Sequence, residues 1–156
     1  MKHASFPHAP PPRGTAPVGR MSDLAPPDIA AITYLRMWQA GAAEAVGEDF
    51  SLMLGRDGAE AIHAFARLTS SITHLPTHSP GCPALGGAES AFAGLLACAA
   101  SGDEDAAMTY ALHLTSGHPP LQILALAARV GLALAHMARH LAQPSGPRHT
   151  PTPTRH

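Results

Sequence analysis

Apolar residues in this chain recur at intervals of three and four, and the rhythm breaks wherever proline or glycine gathers. Ile29, Ile32, Leu35 and Trp38 trace one stripe, and Val46, Phe50, Met53 and Leu54 trace the next. Ile62, Phe65, Ala66, Thr69 and Ile72 continue it, followed by Phe92, Leu95, Leu96 and Ala99, then by Met108, Ala111, Leu112 and Thr115. This is the period of an α-helix face. The run Leu121–Ala138 is the most apolar of all. No stretch alternates with period two between turn dipeptides, so no sheet is expected.

Proline sharpens the boundaries. It removes a backbone donor and clashes with the preceding turn, so helix interiors exclude it while the first turn accepts it. The prolines cluster at 7–17, 26–27, 76–83, 119–120 and 144–153, leaving proline-free runs of 28–75, 84–118 and 121–143. The first helix is predicted from Pro26–Pro27 to about Ala40, and the second over Ala43–Leu54, with Gly55 as its left-handed cap. Asp57 with Glu60 has the spacing of a capping box for the third helix, and Ser101 with Glu104 for the fifth. Between them lies a loop over 74–87, then a fourth helix from near Ala88 to Ser101–Gly102. Gly117 ends the fifth helix. The last is expected from Pro119–Pro120 to about Ala142. The prediction is an all-α fold: one irregular or orthogonal bundle of five to six helices over 23–142, packed around the 121–142 helix. Pro-rich tails at 1–22 and 143–156 are expected to be disordered. Met21 is a plausible second start.

Charge divides along the chain. All eleven acidic residues lie between Asp23 and Asp105, and residues 23–142 hold five basic against eleven acidic residues, a net of −6. Phosphate binding needs a concentrated basic face, so a nucleic-acid partner is not expected. Arg129 interrupts the Leu121–Ala138 run near its middle, where a membrane span would make it costly, so a buried helix is expected rather than a span. Two cysteines make no disulfide framework, and the first twenty residues lack the apolar segment of a secretory signal; a cytoplasmic location is expected.

Eleven histidines are the compositional outlier. His74, His78 and Cys82 stand four apart in the central loop. Pro76, Pro80, Gly81 and Pro83 forbid a continuous helix there, but a folded loop could present imidazole and thiolate to zinc or another transition metal, with His113 or His118 as a fourth ligand. His136 and His140 are i, i+4 on the last helix, a spacing that reaches one metal, although histidine there also complements the helix dipole. Glu60-Ala61-Ile62-His63 has the Glu-x-x-His spacing of di-iron bundles, without the second copy such sites require. Cys98 reads as a small core residue, and Cys82 as the more exposed thiol, with His78 or His74 as a conceivable base. Asp103-Glu104-Asp105 falls on a helix first turn, where carboxylates meet the dipole. Phosphate-loop, Rossmann and nucleophile-elbow patterns are missing.

From about Tyr34 to Leu134 the chain resembles small, uncharacterised bacterial helical proteins with three landmarks. These stand here as Tyr34-Leu35-Arg36-Met37-Trp38, as Asp49-Phe50-Ser51-Leu52-Met53-Leu54-Gly55, and as His78-Ser79-Pro80-Gly81-Cys82-Pro83-Ala84-Leu85. In that pattern the third landmark carries Cys-x-Cys, and here Ala84 occupies the second position. The resemblance implies an all-α fold and no particular activity. The expected function is a non-enzymatic cytoplasmic interaction or regulatory protein. It would contact a protein partner, or a second copy of itself, through an acidic surface and an exposed stripe of Leu, Met and Trp38. The alternative is a small metal-binding or metal-responsive protein using His74, His78 and Cys82. A more distant alternative is a thiol-dependent enzyme centred on Cys82.

Overall fold

The computed structural model describes residues 17–73 and 75–142. Six α-helices dominate it: α1 (Pro26–Gln39), α2 (Ala43–Leu54), α3 (Gly58–Ser71), α4 (Gly87–Ser101), α5 (Glu104–Leu114) and α6 (Ile123–Ala142). The fold is an irregular all-α bundle in which α6 packs against each of the other five helices. Proline at the first two positions of α1 starts it where a missing N–H is harmless. Among the described residues, no helix is long and apolar enough to cross a membrane.

Both predicted capping boxes are replaced. Asp57 ends a 3-10 turn over Gly55–Asp57 with helical φ and ψ, so its side chain caps nothing. Glu60 is drawn instead to Arg129 on α6. Ser101 lies inside α4, where its hydroxyl donates to the Cys98 carbonyl. Gly102, at φ 81°, ends α4 in the left-handed region, which moves the next cap to Asp103; its Oδ1 accepts the Ala106 N–H at 3.1 Å. The last helix starts at Ile123, three residues beyond Pro120.

Strand structure also departs from expectation. β1 (Pro17–Arg20) pairs antiparallel with β2 (Ala84–Gly86), with Gly19 opposite Leu85 and Arg20 opposite Ala84. The Met21 N–H extends the pairing to the Pro83 carbonyl at 2.9 Å. Strands of three and four residues are too short to display alternation, so the pattern gave no warning. The arm expected over 1–22 therefore has structure from Pro17 onward; residues 1–16 and 143–156 lie outside the described residues.

Aromatic rings organise the core despite their scarcity. Tyr34 meets Phe50 edge-on at 5.3 Å, Phe50 meets Phe65 at 5.9 Å, and Phe65 meets Phe92 at 6.3 Å. The chain of rings links α1, α2, α3 and α4, and each such contact adds to simple area burial. Trp38 joins it edge-on to Phe65 at 5.5 Å and is half-buried, so it does not belong to an exposed stripe. Around the rings, Leu35, Leu68, Leu95, Leu134 and Met137 are buried.

Glycine permits a close crossing of α6 over α4. A Cβ on Gly131 of α6 would lie 2.4 Å from the Leu96 carbonyl oxygen and 2.9 Å from the Ala100 Cβ of α4. Backbone cannot yield as a flexible side chain can. Gly131→Ala is therefore expected to destabilise the fold by about 1–3 kcal/mol despite alanine's better helix propensity. Gly47→Ala, whose Cβ would stand 4.0 Å from Ile62, should be neutral or stabilising. Thermal unfolding followed by circular dichroism checks the contrast; equal melting temperatures for both variants would refute the close crossing.

Candidate functional site

The most concentrated chemistry in the molecule is a buried ion pair between α1 and α4. Arg36 falls four residues after Ile32, which places it on the inward face of α1 with Leu35. Glu89 occupies the third position of α4, from which its carboxylate reaches back to the start of its own helix. Both side chains are almost wholly withdrawn from water, and they meet in a two-pronged geometry. Arg36 Nε donates to Glu89 Oε1 at 2.7 Å and Nη2 donates to Oε2 at 2.9 Å. Such fork-to-fork pairing is the strongest form of ion pair and fixes orientation as well as distance.

Most of the remaining capacity of both groups is spent on the 78–86 segment. Arg36 Nη1 donates to the Cys82 carbonyl and Nη2 to the Ala84 carbonyl, each at 2.6 Å. Glu89 accepts the His78 N–H at 2.8 Å and the Gly86 N–H at 2.7 Å, and its Oε2 stands 3.1 Å from His78 Nδ1. A carboxylate offers about four lone-pair positions, so these contacts saturate it. Burial by itself raises the Glu89 pKa; the hydrogen bonds from Arg36, Gly86 and His78 outweigh it and hold the group down at about 2. A carboxylate this acidic and this fully occupied has neither a proton to give nor a lone pair to offer a substrate. It is a clasp.

The sequence-predicted ligands meet this clasp in different ways. His78 commits its Nδ1 to Glu89 and leaves Nε2 unused in that contact. Cys82 follows a turn closed by its N–H on the Ser79 carbonyl at 3.1 Å, with Gly81 at φ 83°. Its carbonyl is held by Arg36, and Cys82 lines a small cleft with Met21, Thr33, Arg36 and Pro80. His74 lies outside the described residues. Among the described residues, no group of three or more His, Cys, Asp or Glu is placed to hold a metal ion. His113 and His118 are exposed, and His118 Nδ1 sits 3.1 Å from the Ser116 carbonyl. Glu60 is engaged with Arg129, which removes it from any pairing with His63. Cys98 is partly buried, and burial with the nearby Asp103 and Asp28 carboxylates raises its thiol pKa, the reverse of nucleophile activation.

Two surface features remain open. A groove of about 410 Å³ between α1 and α6 is lined by Pro26, Ile29, Thr33, Tyr34, Ala138 and Leu141, almost without polar groups. Leu141 stands 74 % exposed at its edge. Tyr34 turns its hydroxyl away to Asp49 Oδ2 at 3.3 Å; burial and that carboxylate raise its pKa to about 12. The second feature is the histidine pair on α6, with Nε2 atoms 2.9 Å apart. No protein-family model, curated protein or solved structure matches this chain.

Two outcomes follow from the clasp. Glu89 has its folded pKa depressed, so its contribution is fully present above its ordinary value near 4.5 and is lost as pH falls towards about 2. Urea unfolding should show stability declining across that window by about 3 kcal/mol from this group, and the decline should be smaller in Glu89→Gln. Separately, Glu89→Ala leaves Arg36 buried without its counter-ion and should cost about 3–5 kcal/mol at neutral pH. A loss below 1 kcal/mol would show that the pair is not buried as described.

Proposed function

We propose that this chain is a non-enzymatic cytoplasmic interaction or regulatory protein that receives an apolar helical segment of a protein partner in the groove between α1 and α6. The observation that carries the reading is the groove itself: half-buried Ile29 and Ala30 of α1 and exposed Leu141 of α6 line it, with no element of the described chain laid over them. Soluble surfaces seldom leave contiguous apolar area open without a use, and paired helices with a shallow cleft suit the apolar face of a third. The polar centre argues in the same direction. The charges of Arg36 and Glu89 are engaged in holding the segment that carries His78, Cys82 and Gly86.

The expected acidic surface contributes to this reading as a selector rather than as an anchor. The −6 balance of residues 23–142 disfavours acidic partners, while the apolar groove supplies the contact energy. Leu141→Asp tests the proposal with little risk to folding, because the side chain is largely exposed. The affinity-purified full chain should retain a partner, or a second copy detected by sedimentation, and Leu141→Asp should weaken that association by about tenfold or more. Identical recovery with the wild-type and variant chains would refute the groove as the contact surface.

A further inference from the structure

We infer that His136 and His140 form a surface site for a divalent copper or nickel ion, independent of the groove. The two imidazoles project from successive turns of α6, whose opposite face is locked into the core by Leu134, Met137 and Ala138. A buried helix therefore serves as a rigid mount for two exposed side chains. Their rings lie 4.5 Å apart at 69°, and the Nε2 atoms stand only 2.9 Å from one another. At that distance one Nε2–H donates to the other Nε2, and a cation that takes the place of the shared proton would be held by both nitrogens.

That separation discriminates among metals. For metal–nitrogen bonds of about 2.0–2.1 Å, two ligands at a right angle are about 2.9 Å apart, whereas a tetrahedral angle spreads them to about 3.3–3.4 Å. The observed 2.9 Å matches adjacent positions of a square-planar or octahedral ion. Tetragonal nitrogen sites favour copper(II) or nickel(II), and copper(II) heads the affinity order of the first-row divalent ions. Both histidines are exposed, so water can fill the remaining positions.

Local charge acts in both directions. His140 lies in the last turn of α6, where the negative end of the helix dipole favours a cation. His136 lines a cavity of about 420 Å³ with Asp57, Glu60, Arg129 and Arg139. The contact between Arg129 and Glu60 neutralises one of those cations. Asp57, on the turn before α3, supplies a further negative charge to the same cavity, and Arg139 opposes it.

The test is copper(II) titration of the full, untagged chain, read by electron paramagnetic resonance and by metal-dependent thermal shift. Wild type should take up one ion more than the double variant His136→Ala/His140→Ala, with a nitrogen-coordinated signal and a gain in thermal stability that the double variant lacks, and with nickel(II) weaker. Either His136→Ala or His140→Ala should weaken binding by about tenfold or more, since a lone imidazole loses the advantage of two linked ligands. His63→Ala, removing an exposed histidine on α3, should bind as wild type. The inference is overturned if the two single variants bind copper as wild type does. It is equally overturned if wild type shows no stabilisation beyond that of the double variant.

Discussion

The bundle depends on two opposite charges taken out of water together. Arg36 and Glu89 each carry a desolvation cost of several kcal/mol, which their attraction offsets only if every remaining donor and lone pair is also satisfied. That condition dictates the path of the 76–86 segment. The chain must bring the carbonyls of Cys82 and Ala84 to the guanidinium and the N–H groups of His78 and Gly86 to the carboxylate. Once β2 is placed in this way, it offers an edge to β1, and the N-terminal strand has a place to lie. Hydrophobic burial supplies the driving force for the helices; the ion pair selects one arrangement of the segment between them.

This division of labour bears on function. A buried acid and base held next to a cysteine-bearing loop resemble catalytic apparatus when only residue types are considered. Their hydrogen bonding ties both groups to contacts internal to the chain and holds Glu89 in its charged form. The two proposed binding features lie at the periphery, in the apolar cleft between α1 and α6 and in the paired imidazoles of α6. Both draw their geometry from α6, the helix that packs against each of the other five.

The helices were legible because proline and the three-to-four rhythm mark them redundantly: α2 runs over Ala43–Leu54 and α1 opens at Pro26 as the spacing predicts. Caps were less legible. Asp57 and Ser101 have suitable side chains at suitable spacings, but backbone conformation at Gly55 and Gly102 decided where each helix begins, and sequence spacing does not carry φ. The short strands left no periodic trace. Trp38 was expected outside and lies against Phe65 instead, because a stripe position at the rim of a helix face can turn inward when a ring is there to meet it. The clasp does leave a trace in the sequence. Arg36 falls in phase with Ile32 and Leu35, and Glu89 stands three residues before Phe92, so both charges occupy stripe positions where an apolar residue is expected. Paired charges in phase with a core face are a mark of burial. The trio of His74, His78 and Cys82 was expected to meet at a metal; His78 instead bonds to a carboxylate that lies on a helix eleven residues further along the chain.

Amide hydrogen exchange on the native full chain tests the central claim most directly. The N–H groups of His78 and Gly86 lie in or beside a loop, yet both end on the buried Glu89 carboxylate. If the clasp fastens the segment to the bundle, both amides exchange only through global unfolding, with protection comparable to that of the α4 and α6 core. Exchange at the rate of an open loop, while the helices stay protected, would contradict it.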